Sequence, residues 1–127
     1  MGKEIIYPEL LYELVGVLFA VHNELGRFRT ERQYGDAIEK YLKEFHISFD
    51  REKILPTSFD GERSGHNKID FIVDDKILLE IKAKRFITKD DYLQIKRYLV
   101  ASRKRLAILV NFHRRYLSPQ RIVLGYS

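Results

Sequence analysis

Between Lys68 and Lys84 the chain reads as two strands folded on each other, and this pairing fixes more of the fold than any other segment does. Successive side chains of an extended backbone leave opposite faces, so Leu78, Glu80, Lys82 and Lys84 share one face while Ile77, Leu79, Ile81 and Ala83 share the other. Asp74-Asp75 interrupts the apolar run where a hairpin turn fits. If Val73 pairs with Ile77 across that turn, Asp70 falls opposite Glu80. Two carboxylates and the Lys82 ammonium then converge within a few ångströms.

The remaining elements follow from periodicity and capping. Pro8 suits a helix's first turn, and Leu11, Leu14, Val15, Leu18, Val21, His22 and Leu25 recur at helical spacing until Gly26. Thr30 with Gln33 makes a capping box for a second helix, whose inward stripe is predicted as Tyr34, Ala37, Ile38, Tyr41, Leu42 and Phe45. Glu31 sits in its first turn. The segment Ile47 to Leu55 is broken by charges, Pro56 to Phe59 reads as extended, and Asp60-Gly61 as a turn. The strands of the hairpin are Lys68 to Val73 and Ile77 to Ala83. Thr88 and Asp91 then open a third helix carrying Tyr92, Ile95, Leu99 and Val100 inward. Leu106 to Phe112 is nearly all apolar, as a strand covered on both faces must be, and Arg121 to Leu124 reads as a short last strand. The order is helix, helix, about three strands, helix, strand, strand. That predicts one domain over residues 1–127, an α/β fold with a mixed sheet flanked by helices.

Composition narrows the chemistry. A chain of 127 residues with 45% hydrophobic content supports one core. It has no cysteine, which removes disulfides, thiolate metal ligands and thiol nucleophiles together. The longest apolar stretch, Val15 to Val21, falls far short of the roughly 20 residues that cross a bilayer, and Met1-Gly-Lys-Glu4 does not resemble a signal peptide. The expectation is a soluble, cytoplasmic protein with no membrane partner. Residues 81–121 hold 12 Lys or Arg against Asp90 and Asp91, a net of +10, whereas the rest holds 11 basic and 16 acidic residues, a net of −5. Such a polycationic segment suits a phosphate backbone, although a solvated basic face has the same composition.

Phosphodiester hydrolysis needs a hard cation, a water activated by it, and a positive side chain near the scissile phosphate. Asp70 and Glu80 offer carboxylate oxygens, Ile81 offers the carbonyl between them and Lys82, and Lys82 is the cationic partner. A paired acid of this kind calls for a raised pKa or a bound cation, and Mg²⁺ or Mn²⁺ is the expected ion. The bland reading is an exposed cross-strand ion pair. Downstream, Gln94 and Tyr98 are spaced to share one face of the third helix. The histidines His22, His46, His66 and His113 lack zinc spacing, and glycine-rich phosphate loops and nucleophile elbows are missing.

Together, Asp70, Glu80-Ile81-Lys82 and Gln94-x-x-x-Tyr98 resemble the PD-(D/E)XK nuclease superfamily, with the last motif typical of its RecB-like and lambda-exonuclease-like branches. The chain is most similar to the small GxxExxY family. Val21-His22-Asn23-x-Leu25-Gly26, Glu31-x-x-Tyr34, Asp70-Phe71, Glu80-x-Lys82-Ala83, Gln94 with Tyr98-Leu99, Asn111-Phe112 and Arg121-Ile122 look like its landmarks in order, over about residues 10–123. The namesake glycine falls at Phe28.

The resemblance implies a restriction-endonuclease-like fold, a central four-stranded mixed sheet flanked by helices with an extra N-terminal helix. It implies that Glu31 joins Asp70, Glu80 and the Ile81 carbonyl around the metal, and that Lys82 orients or activates water. Gln94 and Tyr98, with Lys84 and Arg97 of the basic stripe, would contact substrate phosphates. DNA is the first choice of substrate and RNA the second. The competing expectations are a non-catalytic nucleic-acid-binding module of the same fold and a protein-interaction domain using aromatics such as Tyr7, Tyr116 and Tyr126. A chain this small also points to a homodimer or a larger protein partner for enclosing a duplex.

Overall fold

The computed structural model describes residues 5–125, so the Met1-Gly-Lys-Glu4 start and Tyr126 lie outside the described residues. The elements run α1 (Pro8–Leu25), α2 (Glu31–Glu44), β1 (Phe49–Ile54), β2 (Lys68–Val73), β3 (Ile77–Lys82), α3 (Lys89–Ser102), β4 (Leu106–Asn111) and β5 (Gln120–Ile122). The strands lie in sequence order in one sheet. Neighbours are antiparallel except for β3 and β4, which α3 connects in parallel.

The hairpin forms in the expected register, with Val73 opposite Ile77 and Phe71 opposite Leu79. Its turn is of the mirror-image kind: Asp74 and Asp75 have φ of 51° and 55°, and the Lys76 amide donates to the Val73 carbonyl at 3.0 Å. Positive φ at both central residues matches the right-handed twist of the strands, and Asp is one of the side chains that tolerates it.

Both predicted capping boxes are present. The Gln33 amide donates to the Thr30 hydroxyl and the Thr30 amide to the Gln33 side chain, at 3.1 and 2.9 Å. Thr88 and Asp91 exchange the same pair of bonds at the start of α3. Each box satisfies two amides that lack intrahelical partners.

The sheet divides the core into two layers. Leu14, Leu18 and Val21 of α1 and Tyr34, Ile38 and Leu42 of α2 pack on Phe71, Val73, Ile77, Leu79, Ile81 and the β4 residues Ile108 and Val110. On the opposite face, Ile95, Tyr98 and Leu99 of α3 pack on Ile72, Leu78, Ala107 and Leu109. Strand β4 is buried along its whole length, which explains why its sequence has no polar alternation.

Four details differ from the expectations. The sheet has five strands rather than four, because β5 covers the edge of β4 whose backbone groups would otherwise be unpaired. The last strand begins at Gln120 and stops at Ile122. Pro56 to Phe59 is not a strand: β1 ends before it, where the Leu55 amide donates to the Asn67 carbonyl, and proline cannot extend the ladder. Phe45 and Val100 face solvent, at 58% and 54% exposed, and Tyr98 takes the inward place on α3. The charged segment that blurred β1 is an edge strand, paired only to β2, where charges on the open side are tolerated.

Candidate active site

The ladder between β2 and β3 stops at Phe71 and Leu79, one step short of Asp70 and Glu80. There the side chains take over from the backbone. The Ile81 amide donates to Asp70 Oδ2 at 2.7 Å, and the Asp70 amide donates to Glu80 Oε1 at 3.3 Å. Polar side chains replacing a ladder let the strands part without leaving buried amides unpaired.

Lys82 Nζ lies 3.7 Å from Glu80 Oε2, so the three groups read from the sequence do converge. Lys82 also reaches Asp91 Oδ1 at 4.0 Å, and Lys84 pairs with Asp91 Oδ2 at 2.6 Å. Glu80 and Lys82 therefore face α3, as their shared strand face requires. Lys84, expected on the substrate, pairs here with Asp91 at the start of α3.

Glu80 is 5% exposed and carries the strongest perturbation in the site. Burial pushes its carboxyl up to about 8, the Asp70 carboxylate adds to the rise, and Lys82 opposes it. Tyr98 is also pushed up, by burial first and then by Glu80 and Asp70, with Arg97 acting against them. That coupling sets the Tyr98 phenol in the field of both carboxylates. Asp91 is raised by burial, but its bonds from Lys84 and Thr88 outweigh this and hold it below the ordinary carboxylate value.

Asp70 and Ile81 line a cleft of about 130 Å³ that Glu31, at the first turn of α2, also lines. Glu31 thus shares a cleft with Asp70. Among the described residues, however, no three Asp, Glu or His side chains form a group able to hold a metal. Asp70 and Glu80 make a pair, and Glu31 does not close it into a triad. Such a pair of hard oxygen donors still fits a small divalent cation, since Mg²⁺ is commonly held by one or two carboxylates and keeps water and phosphate in its other positions.

The loop ahead of Glu31 is built without glycine at position 28. Gly26 supplies the left-handed residue, with φ of 75°. Tyr34, fully buried and stacked on Phe112 at 4.3 Å, donates its hydroxyl to the Gly26 carbonyl at 2.7 Å and accepts from the Arg29 amide at 3.2 Å. One aromatic residue of α2 therefore fixes the path into Glu31.

Gln94 is half-buried on α3 one turn before Tyr98, and Arg97 is exposed beside a shallow surface depression with Lys96. Neither is drawn into the Asp70–Glu80 contacts.

Several residues act here that the sequence did not single out for this work. Asp91 was legible only as a cap, yet it also receives both lysines. Asn111 is 5% exposed and clamps the segment after β3, its amide donating to the Lys84 carbonyl at 2.7 Å while its oxygen accepts from the Lys84 amide at 3.1 Å. Arg51 lines the cleft, pairs with Asp36 at 2.7 Å, and crosses α2 at Gly35, where a Cβ would lie 2.6 Å from its guanidinium. Glu52 lines the same cleft with φ of 53°, opposite Asp70. Nothing in their spacing marked Arg51 or Glu52, and the signals at Asp91 and Asn111, a helix cap and a family landmark, did not point to these contacts.

No curated protein and no solved structure matches this chain significantly. A family model does. It covers residues 8–122, running from the first residue of α1 to the last of β5 and taking in the parted strands with their acid pair and lysine. On that match the chain belongs to the PD-(D/E)XK nuclease superfamily.

Proposed function

We propose that this domain is a divalent-metal-dependent phosphodiesterase acting on nucleic acid, DNA in the first instance, with Asp70, Glu80 and Lys82 at its centre. The observation that carries the reading is the meeting of those residues at the point where β2 and β3 part: the Asp70 amide donates to Glu80 at 3.3 Å, Lys82 Nζ lies 3.7 Å from Glu80, and Asp70 accepts from the Ile81 amide at 2.7 Å. Asp70 and Glu80, with the Ile81 carbonyl, would hold Mg²⁺ or Mn²⁺, and Glu31 would approach from the cleft it shares with Asp70. When bound, the ion neutralises charge developing on the phosphate and lowers the pKa of a coordinated water. The chain's own residues do the rest. Lys82 keeps a positive charge beside the acid pair, where it can orient a water or a phosphate oxygen. Asp91 and Lys84 fix the height of α3, and so the place of Gln94 and Tyr98 at the substrate. Arg97 extends the positive surface outward.

Labelled single- and double-stranded DNA and RNA, incubated with the protein and Mg²⁺ or Mn²⁺, test this. Cutting should require metal and fall on the order of 10³-fold in Glu80→Gln and Lys82→Ala, as for loss of a group that acts on the transition state. Cutting that survives both substitutions would dismiss the assignment. A second reading, a nucleic-acid-binding module without turnover, is favoured by one observation: among the described residues no third carboxylate or histidine joins the pair as a metal-holding group. Metal-independent binding with no cleavage on any substrate would select it.

A further inference from the structure

The parallel pairing of β3 and β4 sets Lys82 opposite Asn111, so the segments leaving both strands start at the same end of the sheet. Asn111 binds them together through both backbone groups of Lys84. The end of α1 and the segment that follows it join them there: Arg27 Nε donates to the His113 carbonyl at 2.8 Å, and His22 Nε2 of α1 lies 2.8 Å from the Arg114 carbonyl. Three connections thus form one rim around the end that carries the acid pair.

Each connection holds an arginine followed directly by an aromatic residue, and in each the guanidinium lies over the neighbouring ring. Arg27 is 5.1 Å from the centroid of Phe28, Arg85 is 5.8 Å from Phe86, and Arg115 is 5.4 Å from Tyr116. The four most exposed aromatic side chains among the described residues are Tyr12, Phe28, Tyr116 and Phe86, at 82%, 81%, 74% and 72%. Three of the four sit on this rim. Large apolar rings left in water forgo the gain of burial, so their gathering beside one site marks a surface that is covered in use. The guanidiniums identify the cover. They are positive, they lie against one face of each ring, and the exposure leaves ring surface open to a flat partner. A base stacks on such a ring while its phosphate meets the arginine, and this requires bases that are not already stacked in a duplex.

We propose that Arg27–Phe28, Arg85–Phe86 and Arg115–Tyr116 form a stacking rim that takes unpaired bases, so that the nucleic acid presented to the acid pair is a single strand or an unpaired end. The inference rests on the nuclease-like reading above and names its substrate class.

Binding is measured by fluorescence anisotropy in EDTA, with a short labelled single strand and with the same sequence as a blunt duplex. The wild-type protein should hold the single strand more tightly. Phe28→Leu, Phe86→Leu and Tyr116→Leu should each weaken single-strand binding on the order of ten-fold, with the salt slope unchanged because no charge is lost. Arg85→Ala should lower that slope by about one. The leucine variants should melt with the wild type, since their rings pack on little.

Equal or tighter duplex binding, no binding of either probe, or leucine variants that hold the single strand as well as the wild type would each overturn the rim. Metal-dependent cutting of duplex with no single-strand preference would overturn the rim and leave the nuclease standing. Single strands held through the rings but never cut in Mg²⁺ or Mn²⁺ would do the reverse.

Discussion

The two ends of the β2–β3 hairpin are made from the same pair of strands and obey different physics. At the turn, Val73 and Ile77 pair through the backbone and are fully buried against α1 and α2. Three residues further along each strand, Asp70 and Glu80 face each other with the ladder gone, held by side-chain bonds to amides and by a lysine at 3.7 Å. The first end is held by burial of apolar surface, which is tolerant in chemistry and strict in volume. The second keeps two acids together at the edge of the core, an arrangement that costs stability unless a cation offsets it. A site can be this unfavourable because the rest of the hairpin is not.

Substitution should separate the ends. Ile77→Ala removes buried methylenes at the turn end and should cost about 2–5 kcal/mol of unfolding free energy in urea titration, with cleavage per folded molecule unchanged. An equal loss of specific cleavage would mean that the ends are not independent. Asn111→Ala comes next. It leaves both backbone groups of Lys84 without their partner and should cost about 1–3 kcal/mol, together with a loss of cleavage as the clamp on the β3–α3 connection is released. A variant that keeps full cleavage would free the clamp from any part in placing Lys82.

Thr88→Ala removes one cap of α3 and should cost about 1 kcal/mol by thermal melting. A drop larger than an Asn111 substitution gives would show that Asp91 depends on Thr88 more than on the lysines. The pH profile of the metal-free protein tests the acid end directly. Glu80 has a folded-state value near 8 against 4.5 for the free side chain, so its contribution is intact below pH 4.5 and is lost as pH rises through about 8. Stability should therefore decline across that window. Glu80→Gln should flatten the decline, and added Mg²⁺ should reduce it by favouring the charged form. A metal-free profile that rises with pH over the same range would place the acid pair in a different environment from the one described.

Much of the fold could be read from local rules because those rules act over a few residues. The two capping boxes, the Asp74-Asp75 turn and the wholly apolar β4 each announce themselves in a short window, and each occurs in the structure at its expected place. The stripe of α2 was read one turn too far at Phe45, since periodicity tells which residues share a face but not where the neighbour under that face ends. The candidate site divides along the same line. The opposition of Asp70 and Glu80, and the common face of Glu80 and Lys82, follow from register and alternation, which are properties of two adjacent strands.

The sequence by itself determined the hairpin, its register and hence the meeting of two acids with one lysine, because a tight turn leaves strands no other way to pair. Only the tertiary structure decided what surrounds them. Asp91 is turned toward Lys82 and Lys84 by the docking of α3, Asn111 reaches Lys84 through the parallel pairing of β4, and Glu31 is brought to the cleft of Asp70 by a loop fixed beneath Tyr34. These contacts join residues from 7 to 39 positions apart, and no local spacing rule reaches across a packed core.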